Sequence, residues 1–194
     1  MKLFELFDKI NKTNLNKKHN QTLRLFEYLN NLNVFNNILN ETNENKHQQA
    51  LEFLIKNDLN TNPEEFFNSL SQSKHSQMLT PYSISDLSRM KLFKIPDMNI
   101  GYALKKYENE GYKELVAVHN NESDVSNIGK DLIKSAINNG AEYLDHYDGF
   151  LTNFYQLMGF DEISRDKYDP QYDPDSSFAN KYGKQDVIYR KLRK

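Results

Sequence analysis

The sequence contains no cysteine. Disulfides, a cysteine nucleophile and cysteine-ligated zinc are therefore excluded, and the absence suits a cytoplasmic protein. No run of about 18 apolar residues occurs, so no membrane-spanning helix is expected. The opening stretch Met1-Lys2-Leu3-Phe4-Glu5-Leu6-Phe7-Asp8 carries acids among its apolar residues and lacks a small-residue cleavage site. It does not read as a signal peptide. An excess of one charge is missing too: 25 Lys and Arg stand against 27 Asp and Glu, a formal net charge of -2. Nothing global draws this chain to nucleic acid or to a membrane surface. The basic end, Arg190, Lys191, Arg193 and Lys194, reads as a solvated terminus rather than a nucleic-acid contact. Glycine does not occur before Gly101, which fits a helical first part.

What is present is enough apolar surface for a core. Twelve Phe and twelve Tyr offset a polar composition, and 194 residues allow one domain of ordinary size with a smaller appendage. Helical spacing runs through Leu3, Phe4, Leu6, Phe7 and Ile10, then through Leu23 to Leu39, then through Ala50, Leu51, Phe53, Leu54 and Leu59. A fourth helix has the clearest start: Asn62 as N-cap, Pro63 at the first helical position, then Glu64 and Glu65 near the positive end of the dipole. The polar stretch from Ser69 to Gln77 reads as a linker. The expected division is a helical N-terminal region over 1–77 and an α/β domain over 78–194.

Beyond a turn at Thr80-Pro81-Tyr82-Ser83 and a short helix around Ser85 to Met90, the pattern changes. Ile100 to Tyr107 and Tyr112 to Asn120 form an antiparallel hairpin across Glu108-Asn109-Glu110-Gly111. The second of these strands is nearly continuous in apolar residues at Leu115 to Val118, as for a strand covered on both faces. A polar loop over 121–127 leads to a helix with a buried stripe of Ile128, Leu132, Ile133, Ala136 and Ile137, stopped at Asn138-Asn139-Gly140. A strand over 142–147, a helix over 149–158, a strand over 160–165, an irregular excursion over 168–183 and a strand over 186–192 complete the reading.

That element order, with Asn153-Phe154-Tyr155-Gln156-Leu157-Met158-Gly159-Phe160, resembles the core of the GNAT acyltransferase family and its Phe/Leu-Tyr-x-x-x-Gly-Phe signature. Independently of the family, Gly159 ends the helix because the chain must turn sharply, and Phe160 anchors the next strand. Leu79-Thr80-Pro81-Tyr82, Leu144-Asp145-His146 and Asp148-Gly149-Phe150 also look like GNAT-like proteins encoded by bacteriophages. The resemblance spans roughly 79–194. It implies an α+β fold: a mixed, mostly antiparallel twisted sheet with one splayed parallel pair, flanked by helices. The helical N-terminal region is additional to it.

The resemblance further implies an acetyl-CoA cofactor whose pyrophosphate meets the loop and helix start at Ser126, Asn127, Ile128, Gly129 and Lys130, with Val118 on the preceding strand. The family's loop carries Gln/Arg-x-x-Gly-x-Gly/Ala. Here Asp124-Val125-Ser126-Asn127-Ile128-Gly129 keeps the last glycine, puts Asn127 at the middle one and an acid at the first position. Asn tolerates positive φ, whereas Glu122 and Asp124 face a pyrophosphate badly. Asp148 stands where many family members place a cofactor-contacting Asn. The resemblance assigns the leaving-group acid to Tyr155.

Candidate bases follow from strand geometry. Strands 112–120 and 142–147 are the expected parallel pair, and a ligand sits at the carboxyl ends of such strands. His119 ends the first; Asp145, His146 and Asp148 end the second. These four side chains are expected to converge on one crevice. Two His and an Asp suit zinc or iron by type, but no i, i+4 or His-x-His spacing supports a metal site. The acidic, tyrosine-rich stretch over 167–175 either borders a basic acceptor or is a solvated loop tethered by its tyrosines. Two functions stand open. One is an acetyl-CoA-dependent N-acyltransferase acting on a protein or small-molecule amine, in the cytoplasm, with His119 or His146 as base, directly or through water, and Tyr155 as acid. The other is a GNAT-fold binding protein without catalysis, such as a phage virion component or a protein engaging a host or defence factor.

Overall fold

The computed structural model describes residues 41–194, except 58, 60 and 74–77. The helices expected over 3–10 and 23–39 lie outside the described residues. The chain divides into two compact units between Asn45 and Lys46, and Lys46–Lys194 is the unit described below. Its elements begin with α1, helical over 46–56. They continue with α2 (Pro63–Ser71), α3 (Ile84–Leu87), β1 (Lys91–Lys94), β2 (Ile100–Lys106), β3 (Tyr112–Asn120) and α4 (Gly129–Asn138). The last are β4 (Tyr143–Tyr147), α5 (Phe150–Leu157), β5 (Phe160–Asp166), α6 (Ser177–Tyr182) and β6 (Val187–Leu192).

The strands form one sheet in the order β1-β2-β3-β4-β6-β5. Only β3 and β4 run parallel; every other neighbouring pair is antiparallel. This is the expected α+β architecture, a mixed, mostly antiparallel sheet with one parallel pair and flanking helices. Alternation along the strands builds two cores, one on each face. Phe93, Tyr102, Leu104, Leu115 and Leu144 face the helices α1, α4 and α5. Leu92, Ala103, Val116 and Ala117 face Phe66 and Leu70 of α2 and Leu87 of α3.

The sheet therefore recruits helices that lie before the expected linker. Ala50 and Leu54 of α1, and Phe66 of α2, are buried against it. The compact unit begins at Lys46 rather than near residue 78. The physical reason is packing: a sheet with two apolar faces needs helices on both, and Ala50 and Leu54 of α1 complete one core while Phe66 and Leu70 of α2 complete the other. Asn62 caps α2 as expected, accepting from Glu65 N at 2.8 Å. The β1 strand was not legible, because in Lys91-Leu92-Phe93-Lys94 its two apolar residues go to opposite faces and leave no period to detect. Among the described residues, no helix is long and apolar enough to cross a membrane.

Candidate functional site

The parallel pair is short. Glu114 pairs with Tyr143 and Leu115 with Leu144, and there the β3–β4 ladder stops. Beyond it β3 continues beside β2 and β4 beside β6, so the two strands separate. The cause lies in β3. Between the pairs Ala103↔Val116 and Gly101↔His119 it carries one extra residue, and Ala117 takes a left-handed φ of 52°. A bulge bends its strand and breaks the neighbouring ladder. The opening thus begins at the bulge.

Tyr155 of α5 stands beside the opening. Its ring is buried, 7% exposed, between Phe154, Phe160 and His146. Its hydroxyl has no hydrogen-bond partner among the described residues and is not sealed away as an unpaired buried atom. Burial, and next the charge of Asp145, push the phenol up to about 12. Asp145 projects from the opposite face of β4 to Leu144 and is exposed as a residue. Its carboxyl is raised, first by burial and then by Glu114, the neighbour across the start of the opening. Tyr82, from the turn before α3, is also held up to about 12, by burial first and with Asp145 and Glu114 contributing.

The expected convergence of four side chains fails: His119 lies away from this group, and His146 meets Tyr155 with its ring but has both nitrogens engaged elsewhere. His119 is 4% exposed and lies on the α2 face, edge-on to Phe66 at 5.2 Å. Its Nε2 shares a hydrogen bond with Ser69 Oγ at 2.8 Å, and its Nδ1 meets Ala117 O at 2.9 Å. His146 lies on the opposite face, against Tyr155. Arg190 Nε donates to His146 Nε2 at 2.8 Å, which leaves Nδ1 to donate to Tyr147 O at 2.7 Å. Each ring has both nitrogens engaged, and burial lowers both pKa values. Asp148 is held by Arg165 and accepts from Thr152 Oγ1 at 2.8 Å. It stabilises the start of α5 instead of facing the opening. Of the expected residues, Asp145 and Tyr155 have carboxylate and hydroxyl oxygens with no side-chain hydrogen-bond partner among the described residues.

Arg190 is also a correction. Read as part of a solvated basic end, it is 2% exposed. Its guanidinium reaches His146 Nε2 and, through Nη1, Phe160 O at 2.8 Å. Alternation on β6 turns Arg190 inward, and its planar fork can satisfy two acceptors at once.

The loop before α4 is a built turn. Asn120 Nδ2 donates to Val125 O at 2.6 Å, and Val125 is fully buried. Asn127 takes a φ of 61°, the conformation that its residue type tolerates. Ile128 is buried in the core and α4 starts without a side-chain cap, so the first amides of the helix are left for an external acceptor. A Cβ added at Gly129 would meet only Phe154 Cζ, at 3.6 Å. Ser126, Asn127 and Lys130 are exposed and Val118 is half-buried. The acids of this loop are answered from α1: Lys46 Nζ lies 2.7 Å from Asp124 Oδ2 and 3.7 Å from Glu122 Oε2. Backbone donors, a glycine and a neutralising lysine fit a diphosphate.

The excursion between β5 and β6 is more ordered than its sequence suggested. It holds a short 3-10 turn, Pro170–Tyr172, and α6. The missed signal was a pair of acids before the helix. Asp173 accepts from Phe178 N and Ala179 N at 3.0 and 2.8 Å, and Asp175 from Ser177 N at 3.0 Å. With the sheet this segment encloses a cavity of about 850 Å³, lined by Tyr147, Tyr168, Tyr172, Tyr189, Asp166 and Asp173 among others. Tyr189 is the cross-strand partner of Asp145, and Tyr147 follows Asp145 on the same face, so two residues that line the cavity neighbour Asp145. No group of three or more metal-ligating side chains is found among the described residues.

Two solved structures resemble this chain. One is N-acetylglutamate synthase from Neisseria gonorrhoeae complexed with coenzyme A and L-arginine, at 15% identity and a TM-score of 0.39, covering 66% of this chain and 31% of that one. The other is a GNAT family acetyltransferase from Elizabethkingia anophelis with acetyl-CoA bound, at 20% identity and a TM-score of 0.32, covering 57% and 80% respectively. This chain therefore spans about a third of the synthase's length. No protein-family model and no curated protein matches the sequence. Neither structure bears on the expected bacteriophage origin.

Proposed function

We propose that this chain is an acetyl-CoA-dependent N-acyltransferase that acetylates an amine, with Asp145 as general base and Tyr155 as general acid. The observation that carries the reading is the opening between β3 and β4, flanked by a protonated phenol and a carboxylate of raised pKa. When bound, acetyl-CoA supplies an acyl group on a thioester, a carbonyl carbon open to attack with a thiolate as leaving group. Asp145 takes the proton of the attacking amine. A carboxyl held above its usual range by burial and Glu114 is a stronger base than an ordinary aspartate. Tyr155, held protonated, donates its proton to the departing sulfur. The amides at the start of α4 and Gly129 receive the diphosphate.

The acceptor enters by the cavity between the sheet and α6. Its tyrosines and carboxylates favour a cation, and its lining includes Tyr189, the cross-strand neighbour of Asp145. A protonated amine delivered there meets the group that deprotonates it. The test is thiol release from acetyl-CoA with polyamines and lysine peptides as acceptors. Tyr155→Phe and Asp145→Asn should each lower turnover about 100- to 10,000-fold, the span of general acid–base catalysis. His146→Gln should retain far more activity. Unchanged turnover in Tyr155→Phe would remove that residue from the mechanism. Failure to bind acetyl-CoA at all would leave the second reading, a GNAT-fold binding protein, for which the exposed Phe150 and Leu157 on α5 offer contact area.

A further inference from the structure

We propose that Lys46, on α1, is the cation that receives the diphosphate of the cofactor, supplying from outside the loop a charge that the loop itself lacks. This rests on the cofactor reading above. The loop before α4 presents two carboxylates, Glu122 and Asp124, beside amides that would hold a dianion. Left alone, they would repel it. A single ammonium answers both, at 2.7 Å from Asp124 and 3.7 Å from Glu122.

The placement of Lys46 follows from the helix that carries it. Lys46, Ala50 and Leu54 recur at four-residue spacing and so share one face of α1. Ala50 and Leu54 are buried in the core shared with Val125, Ile128 and Leu132. The helix is thereby seated over the loop and the start of α4, and Lys46 overhangs the loop. Its side chain keeps 40% of its surface exposed. An ammonium has three donors, and Asp124 and Glu122 leave it an open side. Glu122 is itself held in place, accepting from Asn99 N at 2.8 Å. The acids therefore fix where Lys46 stands, and an arriving diphosphate competes for it. In this arrangement α1 is part of the ligand site.

The test is calorimetric titration of the full chain with CoA, inorganic pyrophosphate and pantetheine, which lacks the diphosphate. Lys46→Met should weaken CoA and pyrophosphate about 10- to 100-fold, the span of one charge-assisted hydrogen bond, and leave pantetheine unchanged. Lys46→Arg should stay close to wild type. Asp124→Asn should tighten CoA, because it releases Lys46 and removes a repelling charge. Equal CoA affinity in wild type and Lys46→Met would overturn the proposal, as would an Arg variant as weak as the Met variant. Pyrophosphate binding that depends on Lys46 without any CoA binding would sustain Lys46 as a diphosphate ligand and remove the CoA reading. Binding of neither probe by the wild type would remove both.

Discussion

At Asp145 the fold keeps a carboxylate where burial and the neighbouring Glu114 disfavour its charge. The sign of the consequence is fixed. The folded chain favours the neutral acid, so ionised Asp145 costs stability above its folded pKa, and that cost vanishes as the pH falls through it. Asp145→Asn should therefore melt at a higher temperature than wild type at neutral pH, with the difference shrinking on acidification. Thermal melts across a pH series read this directly; an Asn variant less stable at neutral pH contradicts it. A residue that lowers stability while standing at an opening is a functional candidate on physical grounds. The resemblance named Tyr155 as the acid, and the strand ends offered His119 or His146 as the base with Asp145 beside them. The sequence could not tell these apart, because the bulge at Ala117 changes which way β3 faces and alternation cannot be counted through a bulge. The engaged histidines are the outcome: Ser69 on α2 and Arg190 on β6 are distant in sequence, and neither partner could be foreseen.

Among the elements, those with chemical punctuation were legible. Asn62-Pro63 started α2, Gly140 and Gly159 closed α4 and α5, and the hairpin turn at Gly111 set β2 against β3. Two elements were not. β1 is four residues long and joins two cores at once. Helix α6 hides in a segment whose prolines and acids read as irregular, although those acids cap it. The parallel pair was expected, and so was its separation. The position of that separation was not, because it depends on one left-handed alanine, for which no residue-type rule exists.

For the whole molecule, the expected boundary near residue 78 and the observed division at Lys46 predict different truncations. Residues 46–194 contain both cores, so removal of 1–45 should leave a folded, cooperative unit. Removal of 1–77 deletes Ala50, Leu54, Leu59, Phe66 and Leu70, all buried, and should yield an unfolded or aggregating chain. Circular dichroism and chemical denaturation of the two truncated chains distinguish the cases; equal cooperativity in both would refute the assignment of α1 and α2 to the sheet's cores. The linker signal at 69–77 was one of composition. It misled because polar residues also serve inside a domain: Ser69 to Ser71 belong to α2, and Ser69 is buried against His119.

The most direct measurement is calorimetric titration of acetyl-CoA into the wild type and Gly129→Glu. The Cβ at this position has room, and an acid suits the first turn of a helix, so the variant should fold as the wild type does. It places a negative charge where the diphosphate is received. Micromolar binding by the wild type, lost in Gly129→Glu, is the predicted result. No binding by the wild type at millimolar ligand, or equal binding by both proteins, would contradict the assignment of the opening between β3 and β4 as an acetyl-CoA site.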